Sequence, residues 1–200
     1  FPTGYMANLG ALYAFVARRD IVLGDELNHA CISNGCRLSG AAFRIYPHKN
    51  VSQLESLLQR SSMYRRKLVV TDSVFSMDGD TAPLPEIVNI AKRYDAILMV
   101  DDAHATGVFG KQGKGMIEHC GLEGKIDIVM GSLSKAVGSI GGFIAGSKPL
   151  IDFLKNKARP FIYTTALPPA VCAASLAGLT LIQEDTSLID TLWKNITFLK

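Results

Sequence analysis

The segment Ile97-Leu98-Met99-Val100-Asp101-Asp102-Ala103-His104 has four apolar residues followed at once by two carboxylates, an alanine and a histidine. Such a short apolar run is typical of a strand buried on both faces of a parallel sheet. Five similar runs lie at Ile21 to Leu23, Ala42 to Tyr46, Leu68 to Thr71, Ile126 to Met130 and Phe143 to Ala145. Helical periodicity occurs between runs at Val51 to Arg60, Leu84 to Tyr94 and Leu150 to Asn156. This alternation predicts one α/β domain with a largely parallel sheet.

The composition of the chain narrows the class of function. Its 200 residues are 48% hydrophobic and 20% charged, which is typical of a globular protein. No apolar stretch is long enough to cross a bilayer, so we expect no membrane partner. The net charge of +3 is mild and the basic residues are scattered, so we expect no nucleic-acid partner. Both ends of the chain lie inside structural patterns, and we therefore expect a fragment of a longer domain.

The cysteines show neither a CxxC pair nor histidines at metal-ligand spacing; they are Cys31, Cys36, Cys120 and Cys172. We therefore expect no metal site and no disulfide framework. Free thiols are typical of a reducing compartment, which favours a cytoplasmic protein.

Lys135 is the first candidate for chemistry, because ligands of parallel sheets bind where the strands end. It follows the predicted strand at 126–130, and small neighbours such as Ser134 and Ala136 let a ligand approach closely. A desolvated lysine amine is a good nucleophile toward an aldehyde. A surface lysine in a flexible loop is the alternative interpretation of the same residues.

Asp101 is the second candidate, since it ends a wholly apolar run. A carboxylate there is costly unless a cation accompanies it, and a protonated pyridine nitrogen is one such cation. A cap on the following loop is the alternative. The imidazole of His104 can donate a hydrogen bond to a phenolate oxygen. The ring of His29 can stack with its flat face on an aromatic ring. A structural loop histidine and a helix-capping turn are the respective alternatives.

Three segments together resemble the α-oxoamine synthases: Thr71-Asp72-Ser73-Val74-Phe75-Ser76-Met77-Asp78-Gly79-Asp80, Val100-Asp101-Asp102-Ala103-His104 and Ser132-Leu133-Ser134-Lys135-Ala136. They follow the order and separations of that family, and the resemblance covers essentially the whole chain. It implies pyridoxal 5'-phosphate as cofactor and the three-layer α/β/α large domain of fold type I transferases. It also implies that residues 1–200 are the central part of that domain, without its N-terminal segment and C-terminal small domain.

The resemblance implies a role for each matching position around the cofactor ring. Lys135 matches the Schiff-base lysine, and Asp101 matches the acid that keeps the pyridine nitrogen protonated. His29 matches the histidine stacked on the ring. His104 and Ser76 match residues that hydrogen-bond its phenolic oxygen. The implied catalytic residues are Lys135, His29, Asp101 and His104.

The resemblance also implies a phosphate site. Gly4 and Tyr5 match a pair whose backbone amides hold the phosphate, and Ser132 lies at a phosphate-binding position that is usually threonine. Thr164 matches a hydroxyl that reaches the phosphate of the neighbouring subunit, which implies a homodimer with shared active sites. Cys31 replaces a usual serine. None of these departures removes a catalytic group.

The implied reaction is a decarboxylative condensation of a small amino acid with an acyl thioester of coenzyme A or a carrier protein. Residues 101–108 are most like members that use L-alanine and a pimeloyl thioester. Members that use glycine and acetyl-CoA are the alternative within the family. A non-catalytic partner subunit is the alternative of another class, and the presence of Lys135, Asp101 and His104 disfavours it.

Overall fold

The computed structural model describes residues 1–199, which form one six-stranded sheet. Its strands are β1 Ile21–Asp25, β2 Ala42–Tyr46, β3 Lys67–Asp72, β4 Ile97–Asp101, β5 Ile128–Ser132 and β6 Gly142–Gly146. They lie in the order β2-β1-β3-β4-β5-β6. All neighbours are parallel except β6, which is antiparallel to β5. The predicted α/β class with a mostly parallel sheet is confirmed.

Helices cover both faces of this sheet. Within residues 1–199 they are α1 Gly4–Phe15, α2 Ala30–Ser39, α3 Val51–Gln59, α4 Leu84–Arg93, α5 Met116–His119, α6 Lys148–Lys157, α7 Arg159–Ile162, α8 Pro169–Glu184 and α9 Ser187–Leu199. Successive strand residues point to opposite faces. Leu68 accordingly shares one core with Leu12 of α1, and Val69 shares the other with Ile87 of α4. The expected three-layer arrangement is confirmed. No helix in this part of the chain is both long and apolar enough to cross a membrane.

Two elements, β5 and α6, begin two residues away from the predicted start. The run at 126–130 becomes a strand only at Ile128, because the carboxylate of Asp127 accepts the N–H of Leu98 at 2.8 Å and so occupies the position before the ladder. Helix α6 begins before Leu150, at Lys148. Proline is tolerated in the first turn of a helix, where its missing N–H breaks no bond, so Pro149 does not delay the start.

The order of the strands indicates where a ligand crevice should lie. The chain adds β2 on one side of β1 and β3 on the other, and ligands of open parallel sheets bind outside the carboxyl ends of strands at such a reversal. Asp25, Asp72, Asp101 and Ser132 end β1, β3, β4 and β5 at this edge. The topology therefore gathers polar side chains from distant parts of the sequence.

Strand β6 packs very closely against the start of α1. A Cβ atom on Gly142 would lie 2.6 Å from the Cα of Gly4, so the backbone must shift to admit it. We expect Gly142→Ala to destabilise the full-length protein by about 1–3 kcal/mol. Urea denaturation followed by circular dichroism measures this. The exposed Ser147→Ala, which removes no side-chain cap bond from α6, is the control; equal stability of the two variants would contradict the expected overlap.

Candidate active site

A cavity of about 180 Å³ opens at the carboxyl edge of the sheet. It brings together seven of the nine residues that the sequence singled out: Gly4, Tyr5, His29, Asp101, His104, Ser132 and Lys135. The other two, Ser76 and Thr164, do not line it and are exposed. Ser76 lies in the loop after β3, and Thr164 lies between α7 and α8.

The carboxylate of Asp101 is buried at the end of β4. It accepts hydrogen bonds from the side-chain amide of Asn8 and from the backbone N–H of Ala103, the latter at 3.0 Å. Among residues 1–199, no lysine, arginine or histidine side chain forms an ion pair with it. The capping role is therefore real, and the carboxylate can still pair with a cationic group of a ligand.

Asn8 was not predicted, although the structure places it at the centre of the site. It is fully buried on α1, and its amide nitrogen also lies 3.0 Å from the Sγ atom of Cys31. Its Oδ1 atom has no hydrogen-bond partner within residues 1–199. An asparagine inside the apolar stretch of α1 was the available signal, since a buried amide is costly unless it has a specific partner.

Asp72 is the second residue missed by the sequence analysis. It ends β3 directly beside Asp101 on β4 and accepts the backbone N–H of His29 at 3.0 Å. Burial, reinforced by the negative charge of Asp101, raises the pKa of Asp72 to about 8. At neutral pH we therefore expect Asp72 to be protonated. The signal was the same as for Asp101, a carboxylate at the end of an apolar run.

We expect Asp72→Asn to remove a pH dependence of stability from the cofactor-free, full-length protein. The folded pKa is raised from 3.8 to about 8, so the native state binds more protons than the unfolded state in that window. The unfolding free energy then falls as the pH rises across it. The neutral amide is expected to be about 1–3 kcal/mol more stable than wild type near pH 8. Urea titrations near pH 5 and pH 8 test this, with Asp127→Asn as control, and parallel pH profiles for wild type and Asp72→Asn would contradict it.

His29 caps the N-terminus of α2, as the structural alternative anticipated, and it also lines the cavity. Its Nδ1 atom accepts the backbone N–H of Cys31 at 3.2 Å and lies 2.8 Å from the Sγ atom of that residue. Because Nδ1 is an acceptor, the neutral ring carries its proton on Nε2. The cap therefore sets the tautomer, and Nε2 is the donor of the ring.

Lys135 lies in the loop after β5, where it lines the cavity but is exposed. We expected the amine of this lysine to be desolvated, but the surrounding side chains of residues 1–199 leave it exposed. Its charge reaches His104 across the cavity: burial first, and then the positive charge of Lys135, lowers the pKa of His104 below its ordinary value. Both effects favour the neutral form of the His104 imidazole.

The first turn of α1 also lines the cavity. Free N–H groups at a helix N-terminus favour an anion, and Gly4, Tyr5 and the hydroxyl of Ser132 lie there. A Cβ on Gly4 would lie 2.9 Å from the Cε atom of Met130 and 3.6 Å from the hydroxyl oxygen of Ser132, so a side chain at this position would have to displace Met130. The cavity thus suits a ligand that is cationic at the Asp101 end and anionic at the α1 end.

Fold and cavity together define an α/β enzyme domain with a ligand site at the carboxyl edge of its sheet. The sequence profile of the family described as aminotransferase class I and II matches residues 1–200, and the chain belongs to this family. It is similar to 8-amino-7-oxononanoate synthase 1 of Bacillus subtilis (strain 168), with 49% identity over 200 residues, 100% of this chain and 51% of that protein. The chain thus spans about half the length of the curated relatives it matches.

Two solved structures extend the comparison. Serine palmitoyltransferase from S. paucimobilis, with a bound aldimine of pyridoxal phosphate and myriocin, is 39% identical with a TM-score of 0.94, covering 98% of this chain and 49% of that one. The 8-amino-7-oxononanoate synthase of Francisella tularensis is 33% identical with a TM-score of 0.85, covering 99% and 57%. The resemblance to the α-oxoamine synthases is confirmed.

Proposed function

We propose that the full-length protein is a pyridoxal-phosphate-dependent C-acyltransferase. It condenses L-alanine with a pimeloyl thioester, of coenzyme A or a carrier protein, to give 8-amino-7-oxononanoate for biotin biosynthesis. The observation that carries this proposal is the buried Asp101 carboxylate, which forms no ion pair with a side chain of residues 1–199 and shares one cavity with Lys135 and the N-terminus of α1. The names of the similar synthases support the choice of substrates.

The proposal extends to the organisation of the protein. Residues 1–200 form the central part of the cofactor-binding large domain. Two chains form a homodimer in the cytoplasm, and Thr164 of each reaches the phosphate held by the other. The exposed position of Thr164, outside the cavity of its own chain, is consistent with this role.

The cavity residues fit pyridoxal phosphate at both ends. Asp101 pairs with the protonated pyridine nitrogen and keeps it protonated, while Asn8 orients the carboxylate. The N–H groups of Gly4 and Tyr5 and the hydroxyl of Ser132 hold the phosphate. When bound, the cofactor supplies an electron sink for negative charge at the Cα atom of the amino acid.

The remaining side chains act on the ring and on the substrate. The ring of His29 stacks on the cofactor, and its Nε2–H donates to the substrate carboxylate, because Nδ1 is occupied by the helix cap. His104 and Ser76 donate to the phenolic oxygen. Lys135 would hold the cofactor covalently, and its amine would be the base that removes the proton from the Cα atom of the amino acid and returns it.

Trapping of the cofactor tests the proposal most directly. The full-length protein is incubated with pyridoxal phosphate, reduced with borohydride, digested and analysed by mass spectrometry. We expect an absorption band before reduction and a pyridoxyl adduct on Lys135 after it. A protein without the band and without the adduct would instead be the non-catalytic partner subunit.

Steady-state assays decide the substrates. We expect turnover of L-alanine with pimeloyl-CoA or the pimeloyl carrier protein, and release of carbon dioxide. Exclusive turnover of glycine with acetyl-CoA would replace the proposed reaction by that of a glycine C-acetyltransferase.

A further inference from the structure

His48, in the loop after β2, lies between two carboxylates. Its Nδ1 atom is 2.8 Å from Oδ1 of Asp25, and its Nε2 atom is 3.0 Å from Oδ2 of Asp80. Carboxylates only accept hydrogen bonds, so both ring nitrogens must donate, which requires the imidazolium form. Lys49 adds a bond from Nζ to Oδ2 of Asp80 at 2.9 Å. We call these four residues the His48 cluster.

The His48 cluster joins two segments that are far apart in the sequence. Asp25 is buried at the end of β1, whereas Asp80 belongs to the loop at 73–82 that follows β3. This loop is closed on itself by a hydrogen bond from the N–H of Phe75 to the carbonyl of Asp80 at 2.9 Å and by a bridge between Val74 and Thr81. Holding Asp80 therefore holds the whole loop.

Phe75 provides a second link to the same histidine. Its side chain is 1% exposed, and its ring meets the ring of His48 edge-on with centroids 4.4 Å apart. Ser76 follows Phe75 directly but is itself exposed. The position of Ser76 therefore depends on Phe75 and Asp80, and both contact His48.

We propose that His48 is a positioning residue that fixes the loop at 73–82, and through it the Ser76 hydroxyl, for contact with the cofactor. The role of Ser76 rests on the proposed function, whereas the fixing of the loop stands on the contacts of the His48 cluster. His48 does not line the cavity that contains Asp101 and Lys135. Its contribution is the charged link between β1 and the loop.

The charges around His48 give this link a pH dependence. Asp25 faces it from β1, Asp80 and Lys49 from the two loops, and the carboxylate of Glu26 lies near its backbone N–H at 3.4 Å. Burial lowers the pKa of His48, but the hydrogen bonds to Asp25 and Asp80 outweigh burial and raise it. The link is fully present below the ordinary histidine value and is lost as the pH rises through the raised value.

Hydrogen exchange of the cofactor-free, full-length protein tests the link without reference to catalysis. We expect His48→Gln to increase exchange of peptides within 73–82 about tenfold at pH 6, since one charged hydrogen-bonded link is lost. After correction for intrinsic rates, wild type should reach the same level only at higher pH. The control is His119→Gln, whose ring also packs edge-on against a phenylalanine, Phe109, but has no side-chain hydrogen bond within residues 1–199; it should behave as wild type.

Asp80→Asn separates charge from packing. A neutral His48 can donate to Asp25 from Nδ1 and accept from the new amide at Nε2, so we expect the loop to stay protected and its pH step to disappear. In the same variants the affinity for pyridoxal phosphate is measured by its absorption band. His48→Gln should weaken binding and alter the pH titration of the band, whereas His119→Gln should not.

Two results would overturn the proposal: exchange at 73–82 in His48→Gln equal to that in His119→Gln, or altered exchange with an unchanged cofactor band. A wild-type protein that binds no pyridoxal phosphate would refute the proposed function instead, and the exchange data would still decide whether His48 fixes the loop.

Discussion

Replacement of Lys135 by alanine is expected to lower the turnover of the full-length enzyme by about 10⁴-fold or more. In the proposed mechanism the change removes the covalent anchor of the cofactor and the base that moves the Cα proton, and a positioned general base alone contributes roughly 10²–10⁴-fold. Asp101 and His29 still line the cavity, so the ring contacts proposed for them should stay in place. We therefore expect pyridoxal phosphate to bind more weakly but still to be detectable. Steady-state kinetics and cofactor titration measure the two effects.

The control for this variant is Lys114→Ala, an exposed lysine of a glycine-rich loop outside the cavity. It changes the same charge and should retain wild-type kinetics. If Lys135→Ala kept more than about a tenth of wild-type turnover, Lys135 would be the surface lysine that its local sequence also allows.

The polar edge of the sheet was predictable because it depends on local pattern alone. An apolar run followed by Asp101, or by Ser132 and Lys135, predicts both a buried strand and the position of its carboxyl end. Parallel strands then bring these ends together, whatever lies between them in the chain. This reasoning predicted the strand that ends at Asp101 and a ligand site at its carboxyl end, and the structure has both the strand and a cavity there.

The contacts that tune the site depended on distances that no local pattern contains. Asn8 and Asp101 are 93 positions apart in the chain, and His48 and Asp80 are 32 apart. Their pairing depends on how α1 and the loops after β2 and β3 pack around the sheet, which only the fold supplies. Asp72 is the instructive case, because its sequence signal equalled that of Asp101, yet its pKa is raised by burial first and then by the negative charge of Asp101 next to it.

Ser76 and Thr164 show a different limit. The resemblance implies a cofactor contact for each, but within residues 1–199 both are exposed and outside the cavity. For Thr164 the proposed reason is that its site belongs to the neighbouring subunit. For Ser76 the proposed reason is the loop at 73–82: the position of its hydroxyl depends on the contacts of His48 with Phe75 and Asp80. A single chain therefore contains Ser76 and Thr164 but does not by itself place them in the cavity where the cofactor contacts are proposed.

Asp101→Asn is expected to have the second-largest effect, lowering kcat/KM by roughly 10²–10³-fold. The amide has the shape of the carboxylate and can still accept the N–H of Ala103, so the loop after β4 should be preserved. It has no negative charge, however, and so cannot keep the pyridine nitrogen protonated. The electron sink is then weakened where charge develops at Cα. Kinetics of the full-length enzyme, with circular dichroism to verify folding, measure the loss.

Asp127→Asn is the matched control. The carboxylate of Asp127 also accepts a backbone N–H, that of Leu98 near the start of β4, but Asp127 lies outside the cavity. Asp101→Asn has a second expected effect. It should bring the raised pKa of Asp72 down toward its ordinary value, because the negative charge of Asp101 is one of the causes that raise it. The decline of stability with pH should then be smaller than in wild type. Wild-type kinetics combined with an altered pH dependence of stability would make Asp101 a structural cap that only tunes Asp72, and the assignment of the pyridine nitrogen would be wrong.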